Sequence, residues 1–429
     1  MVPLAWLCRH LRPDLEANPE IPVDALQRMC LERFRIQVKF RLFYKVKCLA
    51  REKIHGGFSQ SYALLPKYVE MIKATYPGSY ALITWTNSGG NSEKFKACFI
   101  SFAAQVKGFL GGCRPIIGID GAHLSGYYKG VMLTTVSIDG NNEIFKIANG
   151  LVDTESIDSW TYFFRNLRLF FAQYGSERDD WTFISDRMRG VESALFEVFP
   201  RATRKVCSNA YNAYVYDKAM SKIEKYDVAA FDYLTPTAEQ WIRYMFDRII
   251  FCDHNTTNFV ESFNSCTKDN RDLPVLTLME AVRNWCMKRM GSRFEKAIDM
   301  DPNELTEFAK GVLEIRSEES RLCHVIAAGG GEFEVRDGHV KFSVTLQTMT
   351  YGCGKWQGLG IPCRHGLRVI YSQRLQARDY VSPYFKGAAY KLTYGDHIHP
   401  MSDPSHWPAF DVPEIAPPTV KRAAGRPAK

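Results

Sequence analysis

Residues 114–207 limit the fold more than any other part of this chain, because short apolar runs alternate there with turn signals and helical periodicity. RPIIGIDGAHL, starting at Arg114, is an apolar run that stops at a polar turn. GVMLTTVSIDGNNEIFKIANGLVD reads as two β-rich runs joined by Asp139-Gly140-Asn141-Asn142, a hairpin signal. SIDSWTYFFRNLRLFFAQYG spaces its apolar residues as an amphipathic helix does and closes at Gly175. DWTFISD is another short apolar run ending in Asp, GVESALFEVFP a helix stopped at Pro200, and ATRKVCS a further short strand. Hairpin-linked strands followed by strand–helix–strand predict a mixed sheet of about five strands with helices packed on it, an α/β fold.

The flanking segments change texture. Residues 1–110 read as a mostly helical, basic module, with VDALQRMCLERF and YALLPKYVEMIKATY at helical spacing and YPGS as a stop. The α/β segment is bounded at 112–315, since helical patterns return in PTAEQWIRYMFDRIIF, TTNFVESFNSC and PVLTLMEAVRNWCMKRM. Within it, residues near 209–255 are read as a helical insertion. A small β-rich piece, EFEVRDGHVKFSVTLQ, opens a region at 332–374 that runs into a cysteine turn. Residues 375–429 form a Pro-rich tail short of apolar periodicity, and its end, PPTVKRAAGRPAK, is expected to be disordered. A chain of 429 residues is too long for one ordinary core, so several domains are expected.

Charge and cysteine usage narrow the setting. The net charge of +8 is uneven: eleven Lys/Arg lie between Arg28 and Lys73 against three Glu, interleaved with aromatic residues in RFRIQVKFRLFYKVK. Such a stretch suits nucleic acid phosphates, and it also suits a solvated face with no partner. No apolar stretch approaches the ~18–20 residues of a membrane span. The opening MVPLAWLCRHLRPDLE meets charges at once, so no signal peptide is read there. Twelve scattered cysteines fit a reducing, intracellular compartment.

Two sets of residues carry metal-binding chemistry. Asp120 and Asp186 each end an apolar run, and strand ends are where α/β folds present chemistry. Asn258, Glu261 and Asn264 share one face if NTTNFVESFN is helical. Three carboxylates from two strand ends and a helix suit one or two Mg²⁺ or Mn²⁺ ions, which clamp the attacking and leaving oxygens of a phosphoryl displacement. The plainer reading has Asp120 in an Asp-Gly turn, Asp186 as a helix cap and Glu261 as an exposed helix residue. The second set is Cys353, Cys363 and His365, gathered around the Gly/Pro-rich turn GCGKWQGLGIPCRHG. These are zinc ligands, but a structural zinc site wants four, and the natural fourth position holds Tyr351. His397 and His399 are discounted as replacements because a flexible span of more than thirty residues separates them from His365.

Five segments resemble plant Mutator-like element (MULE) transposases, in the family's order. They are GIDGAHLSGYYKGVMLTTVSIDGNNEIFKIANGLVDTESIDSWTYFF, WTFISDRMRGVESALFEVFPRA, HNTTNFVESFN, CGKWQGLGIPCRHGL and YGDHIHPMSDPSHWP. The resemblance implies an RNase H-like catalytic fold interrupted by a helical insertion. It implies an acidic triad that cuts DNA with divalent metal, falling here on Asp120, Asp186 and Glu261. It also implies a SWIM-type zinc finger of pattern Cys-x-Cys then Cys-x-His, matched by Cys353, Cys363 and His365 with Zn²⁺ as the ion. The terminal KRAAGRPAK resembles an AT-hook, in which Lys421, Arg422 and Arg426 meet the narrow minor groove of A·T-rich DNA.

Two substitutions depart from the family pattern: Tyr351 replaces a cysteine, and Ala210 stands where a histidine follows Cys207. The upstream DNA-reading zinc domain common in the family is expected to be missing. Two functions follow from the resemblance. One is a nuclear transposase that cleaves and joins DNA at terminal inverted repeats, with self-association as a homo-oligomer among the expectations. The other is a non-catalytic DNA-binding regulator of the far-red-response type. The intact triad favours the first; the two substitutions favour the second.

Overall fold

The computed structural model describes residues 2–18, 21–43, 45–47, 57–87, 93–185, 189–205, 213–237, 251, 258–348 and 350–418. Its strands are β1 (Tyr80–Asn87), β2 (Glu93–Ser101), β3 (Ile116–His123), β4 (Val131–Ile138), β5 (Ile144–Val152), β6 (Thr182–Ile184) and β7 (Thr203–Lys205). Together they form a mixed sheet in the order β1-β2-β5-β4-β3-β6-β7. From β3 to β5 the chain is an antiparallel meander, β2 and β1 extend it antiparallel beyond β5, and β6 and β7 run parallel to β3 on the other side. The meander is where the Asp-Gly turn predicts it. All eight residues of β4 are buried, as a central strand covered on both faces requires.

The first 110 residues are not as helical as their periodicity suggested. Leu4–Ala17 and Val23–Phe34 are helices that share a small core of Leu7, Leu11, Leu15, Leu26 and Cys30. Residues 80–101, however, form β1 and β2 and widen the expected five-stranded sheet to seven. YALITWT and KFKACFIS are rich in β-branched and aromatic residues, which favour a half-buried pleated surface. Their rings pack on the long Ile157–Gln173 helix, with Phe99 against Phe163 and Tyr80 against Phe170. That helix starts at the Ser156 cap and buries Trp160, Phe163, Phe164, Leu167, Phe170 and Phe171. Each such side chain contributes ~1.5–3 kcal/mol by leaving water.

The opposite face of the sheet carries the helix Asn258–Cys266. Gly118 of β3 allows its close approach, since a Cβ there would overlap the Phe259 ring and the Val260 side chain. Asp120, two residues on, shares that face. Between β7 and this helix, the described residues 213–237 are helical, in Ala213–Tyr226 and Val228–Leu234.

The turn residue Asp139 does more than shape a hairpin. Its Oδ1 accepts the backbone N–H groups of Asn141 and Glu143 at 2.9 and 2.8 Å, and its Oδ2 accepts the Tyr394 hydroxyl at 2.7 Å. Arg293, on the Val275–Asp299 helix, donates to Tyr394 at 2.7 Å and pairs with Glu143. This buried network draws the tail onto the sheet. Tyr390, Tyr394, Ile398 and Ile415 join the main core, and Ala416 bonds β2 through Glu93 and Phe95. The tail is therefore packed as far as residue 416, although its sequence is short of apolar periodicity. Its basic end, with Lys421, Arg422 and Arg426, lies outside the described residues.

A second, four-stranded antiparallel sheet follows, β8 (Cys323–Gly329), β9 (Glu332–Asp337), β10 (Val340–Thr345) and β11 (Thr350–Tyr351), in the order β11-β10-β9-β8. The Arg364–Ser372 helix packs on it through Leu367, Val369 and Ile370, which share a core with Phe333, Val335 and Val344.

Candidate metal centres

Asp120 lies on β3 beside the parallel strand β6, with Gly118 paired to Ile184. Asp120 follows Gly118 by two residues on β3, and in sequence Asp186 follows Ile184 by two; Asp186 itself lies outside the described residues. The Asp120 Oδ1 accepts the Gly121 N–H at 2.9 Å, and its Oδ2 accepts the Asn264 side-chain amide at 2.7 Å. Asn264 is on the same helix as Glu261, one turn further along, so this helix lies over the middle of β3; Asp120 is inside the strand, which continues to His123, and not at its end as the apolar run suggested. Glu261 itself is exposed.

Several further contacts hold the helix in place. Arg271 donates to the Asn264 carbonyl, and its own carbonyl accepts Ser125 N–H at 3.0 Å and Gly126 N–H at 3.1 Å from the segment after β3. Burial lowers the Arg271 pKa, and the charge of Asp120 acts against that. A cation is thus set beside the aspartate. Asp120 is partly open to solvent and Glu261 is exposed, and both offer hard oxygen donors of the kind Mg²⁺ and Mn²⁺ accept.

The Cys/His cluster is more closed. Cys353, Cys363 and His365 are buried, and their ligand atoms all lie within 4.8 Å of one another. Cys353 Sγ is 3.5 Å from Cys363 Sγ, which is 3.9 Å from His365 Nδ1. Bonds of ~2.3 Å to sulfur and ~2.0–2.1 Å to nitrogen hold the ligand atoms of a tetrahedral zinc roughly 3.5–3.8 Å apart, so these donors fit the ion. The turn that gathers them uses Gly354 and Gly360 at φ of 70° and 76°. A side chain at Gly360 would also come within 2.6 Å of the Phe251 ring.

Cys363 caps the Arg364–Ser372 helix, its sulfur accepting the Gly366 N–H at 3.5 Å, so it faces the positive end of the helix. The hydrogen bond between the Cys353 and Cys363 sulfurs holds the Cys353 pKa well below the usual thiol range. His365 is half enclosed by Phe342, whose ring stacks on it at 4.2 Å. On its far side His365 Nε2 meets Asp337 Oδ2 at 3.0 Å, and Arg364 pairs with the same carboxylate. Burial works against a charged imidazole, but Cys353 and Asp337 outweigh it and raise the His365 pKa.

The structure thus brings together the three sulfur and nitrogen donors expected from sequence, and adds Asp337 behind them. Sequence reasoning passed over Asp337 because VRDG reads as an ordinary hairpin turn; only its pairing in space with His365 marks it. The backbone of Tyr351 pairs with Val344 in β11, while its side chain is outside the description. His397 and His399 are engaged elsewhere, His397 packing on Phe294 and the His399 carbonyl accepting Tyr76 OH at 2.8 Å. Ala210 lies outside the described residues.

Two family models match parts of the chain. Residues 116–213 match the family model of the MULE transposase domain, a span that includes Asp120 and Asp186 and ends before Glu261. Residues 352–373 match that of the SWIM zinc finger, including Cys353, Cys363 and His365. No curated protein matches the chain.

Proposed function

We propose that this chain, which carries a MULE transposase domain and a SWIM zinc finger, is a DNA-cleaving and DNA-joining transposase acting in the nucleus. One observation carries the catalytic reading: Asp120 lies within the central strand β3, which continues to His123, beside the parallel strand β6 that precedes Asp186 in sequence, and the helix of Glu261 is bonded onto it through Asn264. The order β5-β4-β3-β6-β7, a meander followed by two parallel strands, supports an RNase H-like assignment for this part of the sheet. Asp120, Asp186 and Glu261 would hold Mg²⁺ or Mn²⁺, which when bound neutralises phosphate charge and lowers the pKa of water. The carboxylates orient the attacking oxygen in line with the scissile P–O bond. In the first step that oxygen comes from water, and the bond to the neighbouring nucleotide breaks to leave a 3′ hydroxyl. In the second, this hydroxyl attacks a target phosphodiester, and the target strand leaves as a new 3′ hydroxyl.

The zinc finger holds β8 to β11 and the Arg364–Ser372 helix in one body, and Cys353, Cys363 and His365 are its ligands in this reading. Among the described residues no helix is long and apolar enough to cross a membrane, and the basic run from Arg28 to Lys73 suits DNA phosphates. Part of that charge is already paired, as in Arg33 with Asp14 at 2.7 Å. A second reading, a non-catalytic DNA-binding regulator, is favoured by Tyr351 and Ala210.

The deciding experiment incubates the purified protein with terminal-inverted-repeat DNA and Mn²⁺, beside Asp120→Asn. The expected result is strand cleavage with 3′ hydroxyl ends that the substitution abolishes. DNA bound but uncut by the unmutated protein would establish the regulator instead.

A further inference from the structure

We propose that Asn264 is a positioning residue of the acidic centre, orienting the Asp120 carboxylate and accepting a hydrogen bond from a water of the bound cation; this rests on the metal-dependent reading above. Asn264 is only 6% exposed, and it bonds Asp120 from a helix seated tightly on β3. An ionised carboxylate only accepts hydrogen bonds, so the NH₂ end of the amide must face Asp120. The other end is thereby set. Its Oδ1 is buried and has no hydrogen-bond partner among the described residues.

Such an atom costs ~1–3 kcal/mol of stability, and a leucine would fill the space without that penalty. The position therefore makes little sense as packing alone. A second buried oxygen without a partner, Thr134 Oγ1, is on the residue paired with Asp120 across β3 and β4. Polar capacity is concentrated around one carboxylate and left unused there. Mg²⁺ and Mn²⁺ bound by a carboxylate keep several waters, each a donor in need of an acceptor. Asn264 Oδ1 belongs to the same amide that touches Asp120, so it is an acceptor of that kind. Arg271 holds the Asn264 carbonyl, which fixes the helix turn that carries the amide.

The test is Mn²⁺ titration followed by electron paramagnetic resonance on the full chain, with thermal unfolding of the metal-free protein alongside. Asn264→Leu removes both ends of the amide at similar volume, and Asn264→Ala serves if the leucine variant does not fold. The expected result is a 10- to 100-fold loss of Mn²⁺ affinity, the range for residues that orient a metal's ligands. The melting temperature of Asn264→Leu should be unchanged or higher, because the unpartnered oxygen is gone. Mn²⁺ affinity unchanged in the variant, with Asp120→Asn still abolishing binding, would overturn the role of Asn264 alone. No Mn²⁺ binding by the unmutated protein would overturn the acidic centre itself, and this inference with it.

Discussion

Replacing Asp337 with asparagine tests the zinc centre at its least obvious member. In the structure the Asp337 carboxylate lies 3.0 Å from His365 Nε2, while His365 Nδ1 faces the two thiols. A carboxylate in that place keeps the proton on Nε2 and leaves the Nδ1 lone pair for the metal. It also adds negative charge, which makes the imidazole a better donor. Asparagine keeps the size and an acceptor oxygen, so the tautomer survives and the charge does not. Substitutions of this kind lower metal affinity by about 10- to 100-fold, or ~1.4–2.7 kcal/mol. Asp337→Leu, which removes the acceptor too, should fall at or beyond the far end of that range. Arg364 also pairs with Asp337, and Arg364→Gln is the control for that pair, expected to change affinity less than threefold. The assay is competition for Zn²⁺ against a chromophoric chelator near neutral pH. Zinc affinity equal to the unmutated protein in both Asp337 variants would refute the argument that this contact prepares His365 for the ion.

Other outcomes follow from the same features. Tyr351→Cys restores the sulfur that the SWIM pattern carries at that position, and should raise zinc affinity by orders of magnitude; stoichiometric, chelator-resistant zinc in the unmutated protein would show that a fourth ligand is not needed. Lys146 is fully buried on β5, donating to the Ala148 carbonyl at 2.7 Å with its ammonium 4.3 Å from the Phe263 ring centre, and burial lowers its pKa to about 7. Since the unfolded chain holds this proton up to about pH 10.4, the unfolded state binds more protons than the folded one between the two values. The stability of the native protein relative to Lys146→Met should therefore rise with pH across that window, by up to about 1.4 kcal/mol per unit; denaturant midpoints with a pH-independent difference would contradict it. DNA affinity should fall with salt at a log–log slope of about −0.9 for each phosphate neutralised, and binding unchanged between low and physiological salt would exclude the basic run as the contact.

What the sequence determined by itself is whatever depends on neighbours along the chain. Apolar runs ending at Asp120 and Asp186, the Asp-Gly hairpin, the amphipathic helix closed by Gly175, and the turn gathering Cys353, Cys363 and His365 are all local patterns. Strand and helix periods and turn chemistry are short-range properties, so they can be read without the fold. Asn264 stood in sequence only as a residue sharing a helix face with Glu261. Its bond to Asp120, 144 residues away, needed the helix to be seated over Gly118. Asp337 looked like any turn aspartate until β9 brought it behind His365. Asp139 looked like a plain hairpin residue, and folding made it the anchor of a tail 255 residues distant. β1 and β2 likewise gained their place only through an edge offered by β5 and rings offered by the Ile157–Gln173 helix. A polar side chain's role is set by the partner it meets when water is removed, and that partner is chosen by tertiary packing.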